Sequence, residues 1–162
     1  WCITNLMVVK GLASRGYREL AHQISHKHVR VLAEVFKNTG TIWESYDTLK
    51  PEPGKLFGKF VRNDFVGFSG VGPITMLIEH VIGLEADTSK DVLVWDIRLM
   101  EGHGIKRYPF GLDGVIDLYC HPRKDPSEEP VVRAVSNRNV VLVVRWDNGE
   151  KVIDVTEEES IC

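Results

Sequence analysis

The sequence predicts a two-part α+β protein, with helices in its first half and antiparallel strands in its second. Between Trp1 and about Gly83, apolar residues recur every three to four positions, which is the spacing of amphipathic helices. After Asp87 the spacing falls to two, which is typical of half-buried strands. We therefore predict a first domain over residues 1–86 and a second domain over residues 87–162.

Three helices are expected in the first half, near residues 2–15, 18–37 and 72–82. The first two carry apolar stripes and are separated at Gly16, so they should form an antiparallel hairpin. In the third, Pro73 stands in the first turn, where a missing N–H group costs nothing. The remainder of this half is predicted to be loop, with no strand.

Antiparallel strands are predicted to fill the second half between residues 90 and 156. The Asp-Asn-Gly turn at residues 147–149 is a strong hairpin signal between the last two strands. Trp95 and Trp146 each have apolar neighbours two residues away, so we expect them in the buried core of a small β-sandwich. Exposed platforms of a carbohydrate-binding module are the alternative. The predicted strands contain the alternating run Leu93–Leu99, then Gly114–Cys120, Pro130–Val135, Val140–Trp146 and Lys151–Val155.

Charge and hydropathy exclude several classes of partner. The 162 residues contain 20 Lys and Arg against 23 Asp and Glu, a formal net charge of −3, and no stretch gathers a basic face. Nucleic acid is therefore not an expected partner. A membrane is not expected either, because no apolar run approaches the length of a spanning helix. The chain begins at Trp1 and not at Met, so we expect an upstream segment to be missing, and the localisation stays open.

Cysteines and histidines give no metal or cofactor site. Cys2, Cys120 and Cys162 are odd in number and far apart, so we expect free thiols. Three histidines, His22, His26 and His28, lie on the second helix without an acidic residue at helical spacing, and we expect them to face solvent. The segment 101–104, a histidine between two glycines, is expected to be a turn, and the acidic run 157–159 a solvated end.

The segment Gly40–Asp47 is the strongest candidate for chemistry. It places Glu44 between Trp43 and Tyr46 directly after a helix end, at the start of a long irregular connection. Aromatic rings stack on the C–H faces of sugars, while a carboxylate can bond hydroxyl groups or activate water. From spacing alone, a second interpretation stays open, in which the aromatics anchor the loop and Glu44 only caps or pairs.

This segment resembles the C-terminal signature of the trehalase and mannosyl-oligosaccharide glucosidase families of inverting glycosidases. The resemblance runs in one colinear order over about residues 1–83, which makes it more specific than any single motif. Phe68 takes the position where those families usually have Trp. The matching segments are Trp1–Leu6, Val9–Leu12, Arg15–Tyr17, Leu20-Ala21, Gly40–Asp47, Asp64–Gly70 and Pro73-Ile74.

The resemblance implies that the first domain is the last part of an (α/α)6 barrel and that Glu44, in the family's Glu-x-Tyr, is the general base. The catalytic acid in these families is an aspartate upstream of the matched segment, so it is absent here. Trp1, Tyr46 and Phe68 would line the sugar subsite. The expected partners are a disaccharide or oligosaccharide substrate and the upstream barrel segment of a parent chain, without which this chain should be inactive.

One departure concerns the substrate. Residues Leu49–Gly54 replace a trehalase's glycine-rich loop, so trehalose is not the expected sugar. Two other classes of function remain open: a carbohydrate-binding module, and a helical scaffold that presents the Trp43–Tyr46 loop to a protein partner. A half-built barrel should also expose apolar helix faces, and the isolated chain should then aggregate or bind a hydrophobic dye.

Overall fold

The computed structural model describes residues 1–61, 67–156 and 160–161, and for Phe68 the backbone alone. It divides into two compact units, Trp1–Val81 and Ile82–Cys162, each of which is described by itself. Three predictions fall outside the described residues. They are the start of the downstream glycine and aromatic segment, at 64–66, the solvated end at 157–159 and the third thiol, Cys162.

In the described part of the first unit, α1 (Cys2–Ser14) and α2 (Arg18–Thr39) confirm the first two predicted helices to within two residues. They are antiparallel, since α2 follows α1 after a short turn and Asn5 near the start of α1 lies 3.2 Å from His28 in the middle of α2. The amphipathic period of the apolar residues accounts for α2, whereas α1 is apolar on both sides. No helix among the described residues is both long and apolar enough to span a bilayer.

The third helix differs from its prediction. It begins earlier, as α3 (Gly67–Thr75), and continues as a π-helix over Met76–Ile82. Pro73 therefore lies inside α3 and not in its first turn. At the preceding position, a Cβ at Gly72 would lie 3.1 Å from the Cys2 carbonyl oxygen, so α3 and α1 are in close backbone contact there.

The core of the first unit is small. Leu6 and Val9 of α1 pack with Ala21 of α2 and Met76 of the π-helix. His22 belongs to this buried region, where its Nδ1 lies 2.8 Å from the His80 carbonyl oxygen, so the prediction of a solvent-facing His22 is wrong. A buried imidazole is tolerated there because a backbone carbonyl satisfies its ring nitrogen.

The first unit also contains strands, contrary to prediction. Lys55–Leu56 (β1) and Lys59–Phe60 (β2) form an antiparallel hairpin. The first strand of the second unit, β3, starts at Leu84, so strands appear before residue 85 at two places. Strands of two residues are too short to show an alternating pattern, and the turn Phe57-Gly58 lacks the usual Asn-Gly signal.

The described part of the second unit contains two four-stranded sheets. Their orders are β3-β4-β8-β9 and β10-β7-β6-β5. All neighbouring strands are antiparallel except β4 and β8, which are parallel, so the prediction of a purely antiparallel module is wrong at this pair. The sandwich packing stays a prediction. The strands are β3 (Leu84–Asp87), β4 (Val92–Asp96), β5 (His103–Phe110), β6 (Gly114–Cys120), β7 (Val132–Ser136), β8 (Val140–Trp146), β9 (Gly149–Val155) and β10 (Ser160–Ile161).

Strands with a clear alternation are confirmed, and those without it were missed. β6 and β8 have the predicted bounds, and the two residues between Trp146 and Gly149 connect β8 to β9 as a hairpin. β5 was missed, and its first residues were predicted to be a turn. A bulge disturbs its register at Arg107, whose φ is 55° and whose N–H donates to the Asp117 carboxylate at 2.7 Å. The bulge breaks the alternation that would reveal a strand.

Both tryptophans of this unit were predicted to be buried, and the structure confirms this for Trp95 alone. Trp95 is fully buried and its Nε1–H donates to the Ile82 carbonyl oxygen at 2.8 Å. Trp146 is only partly buried, at the end of β8. A stacking platform at Trp95 is therefore excluded by its burial. Cys2 and Cys120 are buried free thiols, as predicted, and burial raises the pKa of Cys120 to about 11.

Candidate functional site

Glu44 lies in the loop that leaves the end of α2. Gly40 ends this helix in a left-handed conformation, with φ 75° and its N–H donating to the Phe36 carbonyl oxygen at 2.7 Å. Four residues later, Glu44 is partly exposed between two buried neighbours, Trp43 and Ser45. The backbone on both sides of Glu44 is therefore anchored while its carboxylate has access to solvent.

Trp43 is the first of these anchors. Its Nε1–H donates to the Thr39 hydroxyl at 2.9 Å, and that hydroxyl donates in turn to the Val35 carbonyl oxygen at 2.8 Å. The Trp43 ring also packs against Phe60, with ring centroids 5.5 Å apart. The indole thus binds the loop both to the last turn of α2 and to the β1–β2 hairpin.

Tyr46 closes the loop around Glu44. Its hydroxyl oxygen accepts the Trp43 N–H at 3.0 Å, and its ring meets His28 edge-on with centroids 6.5 Å apart. Burial raises the pKa of Tyr46 to about 12, so the hydroxyl stays neutral at physiological pH. The hydrogen bond between Trp43 and Tyr46 closes a short loop of backbone, and this closure restricts the backbone conformations of Glu44.

Behind Tyr46 lies a partly buried imidazole, that of His28. Asn5 Nδ2 lies 3.2 Å from His28 Nδ1, which makes Nδ1 the acceptor and places the proton of the neutral ring on Nε2. Burial lowers the pKa of His28 to about 4, so this side chain is uncharged near neutral pH. The prediction of a solvent-facing histidine is wrong here too. α1, α2 and the loop are joined through Asn5, His28 and Tyr46.

The chain then folds back beside Glu44. The Gly54 N–H donates to the Ser45 carbonyl oxygen at 2.9 Å, and Tyr46 forms an isolated antiparallel bridge with Pro53. A Cβ at Gly54 would lie 2.3 Å from the Ser45 hydroxyl oxygen, so this close return requires glycine. The loop was predicted to be irregular, but Pro53 and Gly54 pair with Tyr46 and Ser45, which directly follow Glu44.

Asp47 has a local structural role. Its carboxylate accepts the N–H groups of Leu49 at 2.8 Å and Lys50 at 3.0 Å, which builds a turn. These two hydrogen bonds lower the pKa of Asp47. The carboxylate is exposed and engaged with its own loop, so Asp47 does not form a second carboxylate facing Glu44 across a bound sugar.

Three residues were predicted to line the sugar subsite, and the structure describes their positions relative to Glu44 in different detail. Tyr46 lies beside Glu44 in sequence and space. Trp1 precedes α1 and is 53% exposed, and its carbonyl oxygen accepts the Asn5 N–H at 3.2 Å. Asn5 in turn contacts His28, whose ring meets Tyr46. Phe68 lies in the first turn of α3, and its side chain is outside the description.

Sequence reasoning missed Asn5 and His28 as parts of this site. Their contacts link positions 18 to 23 residues apart, and neither residue stands in a recognisable motif. The signal available in the sequence was a polar residue on an otherwise apolar helix face, which is common in helices of any function. In the described ranges, no group of three or more His, Cys, Asp or Glu side chains is arranged to hold a metal ion.

The first unit matches a known family. Residues 1–78 match the family model described as Trehalase. The matched region contains α1, α2, the Glu44 loop and most of the third helix. This part of the chain is therefore similar to the trehalase family, and the match covers slightly less than half of the chain.

A relative extends beyond that region. An uncharacterized protein of Borreliella burgdorferi is 24% identical over 109 residues, which is 63% of this chain and 23% of the relative. The matched segment is thus less than a quarter of the relative's length. No solved structure matches the chain at a comparable level of significance.

Proposed function

We propose that this chain is the C-terminal part of an inverting glycoside hydrolase that cleaves an α-glycosidic bond, with Glu44 as its general base. The observation that carries the proposal is the position of Glu44. It is a partly exposed carboxylate enclosed by two buried anchors, within the region that matches the trehalase family. A carboxylate that merely capped a helix would not need the backbone on both sides to be fixed.

The chemistry requires a base that holds one water molecule against the anomeric carbon. Inverting glycosidases use two carboxyl groups about 6.5–9.5 Å apart, one to protonate the leaving oxygen and one to activate this water. The Trp43-to-Tyr46 hydrogen bond supports such a role because it holds the Glu44 segment in one conformation. Positioning of this kind lowers the entropic cost of reaching the transition state.

The acid is proposed to be an aspartate upstream of this chain. Asp47 is excluded by its turn, in which the amides of Leu49 and Lys50 occupy its carboxylate. A disaccharide or oligosaccharide is the proposed substrate, with Trp1, Tyr46 and Phe68 beside it. For Tyr46 the structure adds a constraint, since its hydroxyl oxygen accepts the Trp43 N–H inside the loop, which leaves the O–H hydrogen and the ring for a sugar.

The proposed parent is an (α/α)6 barrel whose earlier helices cover the first unit. Support comes from apolar side chains that α1 and the third helix expose, among them Met7, Val8, Ile74 and Leu77. Helix faces of this composition are usually buried against other helices. We propose that the upstream barrel segment is this partner and that the isolated chain is inactive.

A non-catalytic interaction module is the second candidate. The same exposed side chains favour it, because they would equally suit an unrelated protein partner. Reading the gene upstream of Trp1 separates the two. Barrel helices with an aspartate-bearing motif support the glycosidase, whereas an unrelated domain contradicts it.

Replacement of Glu44 tests the assignment directly in the longer enzyme. Glu44→Gln keeps the shape of the side chain and removes the base, so turnover should fall by about 10²–10⁴-fold with little change in substrate affinity. Asp47→Asn is the matched control in the same loop and should be much milder, because an amide oxygen can still accept the two N–H groups. Anomer-resolved NMR should show an inverted product. Full activity of Glu44→Gln, or a retained anomer, contradicts the proposal.

A further inference from the structure

The tip of the β1–β2 hairpin presents an aromatic ring to solvent. Phe57 is 96% exposed and adopts a left-handed backbone conformation, with φ 50°, followed by Gly58 with φ 77°. Bulky residues with a Cβ are disfavoured in this region, and two-residue hairpins of this type usually have Asn-Gly at the turn. Phe57 thus costs backbone strain and buries no apolar surface. Among the described residues, no packing contact accounts for a phenylalanine at that position.

The base of the hairpin is attached to the residues on either side of Glu44. The Gly54 N–H donates to Ser45 O at 2.9 Å, and the Val61 N–H donates to Gly54 O at 3.0 Å, so both hairpin arms meet at Gly54. The Phe60 ring packs on Trp43. Phe57 lies three residues beyond Gly54, which is about 10 Å of extended chain at most. The exposed ring is therefore within one short hairpin of the candidate base.

Cationic side chains accompany the ring. Lys55 and Lys59 flank the turn, and the Lys55 ammonium lies 4.8 Å from the centroid of the Phe60 ring. An ammonium group held near an aromatic surface can donate hydrogen bonds to hydroxyl groups, while the flat ring accepts the C–H face of a sugar. A fixed apolar platform with a few polar donors is the usual composition of a small-molecule subsite.

We propose that Phe57 is a stacking platform for a sugar ring of the substrate, at a subsite that the β1–β2 hairpin builds beside Glu44. This proposal rests on the proposed glycosidase function and adds a specificity-determining residue to it. The strained, exposed conformation is maintained because the ring contacts the substrate and not the protein core. Lys55 and Lys59 contribute donors to the hydroxyl groups at the rim.

An anionic lipid membrane is the alternative binding partner for the hairpin tip. Leu49 is 92% exposed in the same loop, and apolar tips flanked by lysines also bind membranes. The attachment of the hairpin to both neighbours of Glu44 favours sugar, since a membrane anchor gains nothing from a link to a buried loop core. Binding to vesicles of phosphatidylserine and phosphatidylcholine is therefore measured in parallel.

The test titrates the longer enzyme that contains this chain with two α-linked sugars, maltotriose and nigerose, and follows the ring signals of labelled phenylalanine by NMR. At least one sugar should shift the Phe57 ring resonances. Phe57→Ala should weaken binding of that sugar about three- to tenfold, which is the range expected for one aromatic stacking contact. Phe57→Trp should retain it, because it keeps an aromatic platform. Leu49→Ala, the matched control for an exposed apolar side chain, should bind as the unchanged chain does.

The outcomes separate this proposal from the assignment of Glu44. If Phe57→Ala and the unchanged protein bind sugar equally well, Phe57 is not a stacking platform. The assignment of Glu44 as the general base would still stand in that case if Glu44→Gln loses turnover. Conversely, Phe57-dependent sugar binding with full turnover in Glu44→Gln keeps the platform and removes the base. Absence of sugar binding, or Phe57-dependent binding to the lipid vesicles in its place, overturns the platform.

Discussion

The two units of this chain differ in how far each buries its own apolar residues. Among the described residues, nine apolar side chains are buried in the first unit and fourteen in the second. For large apolar side chains that are exposed the order reverses, with thirteen in the first unit and five in the second. The units span the same number of residues, so size does not explain the contrast. The second unit encloses the larger core, and the first exposes more of its large apolar side chains, as the proposed covering by upstream helices would require.

The contrast is visible within single helices of the first unit. α2 is strongly amphipathic, with buried residues such as Leu32 and Val35 on one side and charged residues on the other. α1 is apolar on both sides: Leu6 and Val9 are buried, while Met7 and Val8 on the opposite face are exposed. A helix that is apolar all round normally has neighbours on both sides. The two helices thus differ in that α2 has one polar face for solvent, whereas α1 exposes apolar side chains that the proposed upstream helices would cover.

The largest expected effect concerns the closed core of the second unit. Trp95→Ala should destabilise the chain by about 3–5 kcal/mol, because it leaves a cavity among fully buried neighbours. Urea unfolding followed by circular dichroism measures the change. Trp146→Ala, at the partly exposed end of β8, is the matched control and should cost clearly less. Equal costs for the two substitutions would mean that the second unit has no distinct core.

The partly buried imidazole of the first unit should give a pH-dependent stability. The pKa of His28 is lowered to about 4 in the folded chain, from an ordinary value of about 6.5. Its neutral form is favoured by folding, so the contribution is complete above about pH 6.5 and is lost as the pH falls toward 4. The loss should reach up to about 3 kcal/mol.

Unfolding free energies between pH 4 and pH 7 measure this effect. His28→Gln provides the control, because a neutral side chain removes the titration while it keeps hydrogen-bonding groups near Asn5 and Tyr46. The difference between the two proteins should shrink as the pH falls, since only the unchanged chain has a group to protonate. Parallel curves over the whole range would show that His28 does not titrate as its burial implies.

The smallest expected effect on stability concerns the open face of α1. The isolated chain should bind the hydrophobic dye ANS or aggregate, and a double substitution, Met7→Lys with Val8→Lys, should reduce dye fluorescence with little change in unfolding free energy. The control is Leu112→Lys, which changes an isolated exposed side chain of the second unit. A soluble monomer that binds no dye would favour the interaction module over the barrel fragment.

Several elements could be read from the sequence because their signals are local. α1, α2, β6 and β8 have regular periods, and the Asp-Asn-Gly turn marks the last large hairpin. The Glu44 segment was recognisable in the same way, from a contiguous motif in colinear order with other motifs. Elements with broken periods were missed, namely the bulged strand β5 and the short β1–β2 hairpin with Phe57 in its turn.

The sequence by itself therefore determined the two kinds of secondary structure, the main helices and strands, and a carboxylate worth testing. Tertiary structure alone decided which residues contact Tyr46 in the loop that carries that carboxylate. His28 and Asn5 are far apart along the chain, and no local propensity reports the burial that neutralises the imidazole. It also decided that β4 and β8 pair in parallel, because pairing depends on which strands meet in space and not on the pattern of either one.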